Sequence, residues 1–234
     1  MYDGAGVFCY GIFAGSEIFL KRQVRKHLED SLLVLRAVAE DSVLHATLAE
    51  AAAVTARAMK AGRKLLVAGN GGSAADAQHL AAEFVCRLCK DRAAMRAIAL
   101  TTDSSALTAI ANDYGFDRIF ERQIEALGQP GDVFLGISTS GNSPNVLRAL
   151  ELSRKLGVVT IGFSGETGGK MTPLCDYAIL IPSRVTMHIQ EAHLALEHVF
   201  CALTEQIYFA DETQTGAEKS AAATTASPAA AGRS

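Results

Sequence analysis

The sequence lacks an excess of basic residues: 22 Lys and Arg stand against 25 Asp and Glu, a formal net charge of −3. A nucleic-acid surface needs clustered positive charge, so that partner class is not expected. Small molecules and other copies of the chain remain. It also lacks paired cysteines. Cys9, Cys86, Cys89, Cys175 and Cys201 are odd in number and scattered, which argues against a disulfide framework and for a reducing compartment. Cys86 and Cys89 make one CxxC with no second pair at structural-zinc spacing, and are read as two buried helix residues. The apolar first twenty residues are broken by glycines, carry Asp3, and have neither a basic lead nor a small-residue cleavage site. They predict neither a signal peptide nor a membrane span. A cytoplasmic protein is expected.

What is present is enough for one sizeable α/β domain: 234 residues, 49% of them hydrophobic. From about Lys21 to Lys60 apolar residues recur every three or four positions without proline, predicting two helices stopped at Gly62. Five short β-rich runs follow at 64–69, 96–101, 132–138, 158–164 and 177–182, alternating with helical stretches. Near-continuous apolar strands separated by helices predict a five-stranded parallel sheet covered on both faces, doubly wound and flavodoxin-like, with an N-terminal helical pair. The domain is expected over 21–210, preceded by an extension at 1–20. The Ala-, Thr- and Ser-rich stretch at 211–234 offers nothing to bury and is expected to be disordered.

In such a sheet ligands bind beyond the carboxyl ends of the strands. The first strand runs into GNGGSAADAQH (69–79), where glycines admit an anion close to the backbone and Ser73 sits near a helix start. The loop is neither GxGxxG nor a Walker loop, so it indicates neither a dinucleotide nor a nucleoside triphosphate; a phosphate site and a plain tight turn both fit. The third strand runs into Ser138, Thr139, Ser140, Gly141, Asn142 and Ser143, with Pro144 opening a helix. That density of hydroxyls exceeds what a helix cap needs and predicts a neutral phosphate cradle. After the second strand, Asp103 or Ser104 caps a helix that Asn112 and Asp113 end; those two are either a turn or sugar-hydroxyl ligands.

His79 and Glu83 stand four residues apart on one helix face, where they share a cation or bond each other. The last helix carries His188, Gln190, His193 and His198. Gln190 and His198 are about 12 Å apart along the axis, at the limit of sharing one ion, which favours a site completed between subunits. His188 and His193 are read as helix-surface or interface residues.

GNGGSAADAQHLAAEF, ALTTDSSALTAIANDYGF, GDVFLGISTSGNSPNVLRALE and IQEAHLALEH together resemble the bacterial phosphoheptose isomerases of the sugar-isomerase (SIS) family, over about Val24 to Tyr208. The resemblance implies a single SIS fold, a homotetramer, one zinc ion per subunit and conversion of sedoheptulose 7-phosphate to D-glycero-D-manno-heptose 7-phosphate. That reaction opens the supply of nucleotide-activated heptose for cell-envelope glycans such as lipopolysaccharide. By motif, Ser73, Ser138, Thr139, Ser140 and Ser143 would hold the phosphate, and Asn70, Gly71, Gly72, Asn112 and Asp113 would line the sugar. His79, Glu83, Gln190 and His198 match the zinc ligands, Glu83 and Gln190 also facing substrate, and Glu83 with His198 match the catalytic pair. Carbonyl migration needs a base for a carbon-bound proton and a group that moves protons between oxygens, which suits a carboxylate and an imidazole. A zinc-bound carboxylate is a poorer base, so either Glu83 is released in turnover or the metal is partly structural. A relative that binds the replication initiator without isomerase activity is the alternative from another class, and an isomerase or sensor for a different sugar phosphate is the nearer one. Retention of all four ligand types favours the enzyme.

Overall fold

The computed structural model describes residues 9–210, with side chains from residue 17 onward. The low-complexity stretch at 211–234 and the start of the 1–20 extension lie outside the described residues.

Two helices lead. α1 spans Cys9–Glu40 and α2 Ser42–Lys60. The break between them is chemical: the Asp41 carboxylate accepts hydrogen bonds from the Val43 and Leu44 amides, capping α2. α2 buries Leu44, Leu48, Ala51, Ala52, Thr55, Ala56 and Met59, a stripe at helical spacing. The helical pattern thus starts earlier than Lys21.

Alternation then sets in: β1 (Leu65–Gly69), α3 (Gly72–Val85), β2 (Ala97–Ala99), α4 (Ser104–Tyr114), α5 (Glu121–Leu127), β3 (Val133–Ile137), α6 (Pro144–Lys155), β4 (Val159–Gly165), β5 (Tyr177–Ile181) and α7 (Thr186–Tyr208). The strands form one sheet in the order β2-β1-β3-β4-β5, every pair parallel. The five strands fall where the apolar runs predicted them, and the order is the flavodoxin-like doubly wound one.

The alternation of side chains along each strand separates two cores. Leu65, Val67, Leu135, Ile161 and Phe163 face one way, packing with α2, α3 and α7; Leu66, Ala68 and Phe134 face the other, with α5 and α6. Burial on both faces leaves only the carboxyl edge of the sheet for chemistry. The chain order reverses between β1 and β3, and the loops leaving those two strands open a crevice there.

Two expectations need correction. Cys86 and Cys89 are exposed, in the segment after α3, not buried on the helix. Cys86 is the C-cap of α3, and inward anchoring of the segment falls to Met95 and Arg92 instead. His188 and His193 are buried residues of α7, and His193 is fully so.

Candidate active site

Gly71 turns the chain out of β1. Its φ of +58° is a conformation that L side chains resist, and it serves as N-cap of α3 without a side-chain bond. At Gly72 the constraint is space: a Cβ there would stand 2.4 Å from the Gln190 Nε2. The missing side chain therefore lets Gln190 of α7 lie across the N-terminus of α3. Ser73 follows, buried in the first turn.

The loop after β3 is the second wall. The Ser138 and Ser143 hydroxyls lie 2.9 Å apart, and the Ser140 hydroxyl accepts from the Asn142 amide. The Thr139 carbonyl accepts from the Gly165 amide, pinning the loop to the end of β4. Ser143 is the N-cap of α6 and Pro144 its first residue, so the amides of that helix open towards the serine cluster. The two walls are joined by a pair absent from the sequence reading. Asn70 and Asn145 exchange two amide hydrogen bonds at 2.9 and 2.8 Å, and Asn145 is 1% exposed.

Below Ser73, α3 carries His79 and Glu83 towards α7. His79 Nε2 lies 2.9 Å from His198 Nε2 and 3.6 Å from Glu83 Oε1. The three residues are half-buried and offer ligand atoms within 4.8 Å of one another. Two imidazole nitrogens aimed at one point, with a carboxylate beside them, are a donor set that suits zinc, so the residues fit the ion. His79, Glu83 and His198 thus come together within one chain, and Gln190 lies against Gly72 above them.

Asn112 and Asp113 do not join this group. They bond each other at 2.7 Å on the exposed last turn of α4. Asp103 caps that helix at the carboxyl edge by accepting from the Ala106 amide, and roughly 13 Å of helix rise carries the pair away from the edge.

Behind the metal group the sequence reading missed a carboxyl pair. Glu197, beside His198, is fully buried, and neither carboxyl oxygen has a hydrogen-bond partner. Burial first, then the Asp76 carboxyl, pushes its pKa up to about 8. Burial likewise raises Asp76, partly offset by His79. Arg92 closes the far end of α3: it donates to the Glu83 and Phe84 carbonyls and to Glu205 of α7.

The sheet order makes the chain a doubly wound α/β protein with hydroxyl-rich loops at the switch point, and the family model of the SIS domain matches residues 27–165. The chain is 48% identical over 186 residues to phosphoheptose isomerase of Aneurinibacillus thermoaerophilus, covering 80% of this chain and 94% of that one. It is 50% identical over 190 residues to phosphoheptose isomerase 2 of Campylobacter jejuni, covering 81% and 94%. The solved phosphoheptose isomerase of Neisseria gonorrhoeae superposes with a TM-score of 0.75 at 39% identity, over 80% of this chain and 99% of that one. The chain belongs to the phosphoheptose isomerases of the SIS-domain family.

Proposed function

We propose that the protein is a zinc-dependent isomerase that converts sedoheptulose 7-phosphate to D-glycero-D-manno-heptose 7-phosphate. The observation that carries the reading is the convergence of His79, Glu83 and His198 directly below the loop Asn70–Ser73. The names of the relatives support the substrate.

The phosphate is held by Ser73, Ser138, Thr139, Ser140 and Ser143 together with the N-termini of α3 and α6. No lysine or arginine occupies either loop, so binding rests on hydrogen bonds and helix dipoles, which favours release as well as capture. Asn70, Gly71 and Gly72 line the sugar. Glu83 takes a proton from C1 of the ketose, and that bonding pair becomes the C1–C2 double bond. His198 protonates the oxygen on C2 as the carbonyl opens. The C1 hydroxyl then returns its proton to His198, C1 becomes the aldehyde carbon, and Glu83 delivers its proton to C2. Zinc would be held by His79, Glu83, Gln190 and His198 and would polarise the two substrate oxygens. For the proton transfers Glu83 and His198 must each present a lone pair that the ion does not occupy.

The active form is an oligomer, a tetramer by family resemblance. Val24, Leu28 and Leu32 leave an apolar stripe of α1 exposed, as an interface would require. Asn112 and Asp113, remote from the crevice of their own chain, would then reach the sugar of a neighbouring subunit. No helix among the described residues is long and apolar enough to cross a membrane, and a cytoplasmic role in supplying heptose for envelope glycans is consistent with that. The catalytic unit is a single SIS domain over 21–210.

The test is incubation with sedoheptulose 7-phosphate in heavy water, beside Glu83→Gln and a chelated sample. Deuterium at C2 of a new aldose phosphate, lost in the variant and reduced by chelation, is expected. No turnover by folded, zinc-loaded protein would sink the reading, and turnover of another sugar phosphate instead would reassign the substrate.

A further inference from the structure

A second group of metal-ligand atoms lies outside the active site, where α1 crosses α7. His27 and Ser31 come from α1, and His188 and Glu191 from α7. His27 Nε2 is 2.9 Å from Glu191 Oε1, and His188 Nδ1 is 3.2 Å from Glu191 Oε2. The Ser31 hydroxyl bonds Glu191 Oε2 and lies 3.0 Å from His188 Nδ1. The two imidazole rings sit 4.7 Å apart, and the three ligand atoms fall within 4.8 Å of one another.

We infer that His27, His188 and Glu191 form a second zinc site, which clamps the first helix to the last. Two imidazoles and one carboxylate are an established zinc donor set. A tetrahedral ion with bonds of about 2.0–2.1 Å separates its ligand atoms by roughly 3.3 Å. The His27 Nε2 to Glu191 Oε1 separation of 2.9 Å and the His188 Nδ1 to Glu191 Oε2 separation of 3.2 Å are close to that, and one atom from each of the three residues lies within 4.8 Å of the others. Small rotations therefore admit the ion, which replaces the protons now shared with Glu191. The Ser31 hydroxyl is placed to bond the carboxylate from outside, as an outer partner of a metal ligand does.

The site is distinct from the first. His188 and His198 are about 15 Å apart along α7. Gln190 sits between His188 and Glu191 in sequence, but its side chain lies against Gly72 at the start of α3. His188 is 8% exposed at its side chain whereas His27 and Glu191 are 37% and 39% exposed. One ligand is thus held rigidly in the fold, and two lie at the surface of the chain.

Zinc content of the full-length protein, dialysed against buffer after loading and read by mass spectrometry, tests this. The wild type should hold two ions per chain, His27→Ala one, His198→Ala one, and the double variant none. Zinc should raise the melting temperature of His198→Ala and leave that of the double variant unmoved. His27→Gln, which keeps a polar side chain on the exposed face of α1, guards against a folding artefact and should also hold one ion. Equal zinc in wild type and both His27 variants would overturn the second site. A His198→Ala protein that retains two ions would instead count against the active-site assignment, so the two failures are distinguishable.

Discussion

His79 and His198 lie 119 residues apart in sequence and 2.9 Å apart at their Nε2 atoms. Two neutral imidazoles share only one proton across such a gap, whereas a divalent ion takes both lone pairs and the nearby carboxylate of Glu83. Replacing His79 with Ala should lower zinc affinity by more than the roughly 10–100-fold that loss of an outer-shell partner costs, and turnover should fall with it. Competition with a chromophoric chelator measures the affinity. A variant that keeps wild-type zinc content would remove His79 from the ligand set.

Gly72 and Gln190 are coupled through space. The Cβ of Gly72→Ala would meet the far end of a flexible side chain, so the fold should survive while Gln190 is pushed aside. The expected result is a reduced kcat/KM with little change in stability. The double variant Gly72→Ala/Gln190→Ala should be no worse than Gln190→Ala alone. Additive losses would mean that Gly72 acts independently of Gln190.

Arg92 and Glu205 form an ion pair at 2.7 Å with both side chains less than a tenth exposed. Arg92→Met leaves the Glu205 carboxylate buried without its cation, and unfolding in urea should show a loss of about 3–5 kcal/mol. Adding Glu205→Gln to that variant should recover part of it, since the orphaned charge is gone. A loss below about 1 kcal/mol, the size of a surface pair, would show that solvent reaches the carboxylate.

His193 gives the protein an acid-sensitive core. Its Nε2 donates to the Ser164 carbonyl, its Nδ1 has no partner, and it packs on Phe163. Burial lowers its pKa to about 4, partly offset by Ser164. The folded state therefore resists a proton that the unfolded chain binds below about 6.5. Stability should be unaffected by this group above that value and fall as pH drops towards 4. Between pH 7 and 4.5 the contribution is about 2–3 kcal/mol. In His193→Gln the same pH step should cost that much less. An unchanged pH slope would contradict a buried neutral imidazole.

The strands and the two loops leaving β1 and β3 were legible because their signals are local: apolar runs, glycines, and hydroxyls before Pro144. His79 and Glu83 were legible as an i, i+4 pair for the same reason. Asn145 was not, because its partner Asn70 lies 75 residues away and only the adjacency of β1 and β3 brings them together. α5 went unassigned because it is seven residues long, and Gln123 and Ile124 are its buried residues. The reading of His193 as a surface or interface residue followed its polarity alone. Its place one turn from Ile189, Leu196 and Glu197 on the buried face of α7 was the better signal. Glu197 escaped notice for the same reason, as a charged residue type is assumed to be solvated until a fold buries it.

α7 both brings His198 to His79 and Glu83 and helps α2 and α3 cover one face of the sheet through Ile189, Ala192, Leu196 and Phe200. A ribosome therefore releases the loops of β1 and β3 long before either task can be done. Until the final helix emerges, α2 and α3 cover only part of that face, its remaining apolar surface meets water, and His198 is not yet beside His79 and Glu83. A message cut short before that helix yields no half-active enzyme to poison an assembly. Its product is a sticky fragment fit for proteolysis.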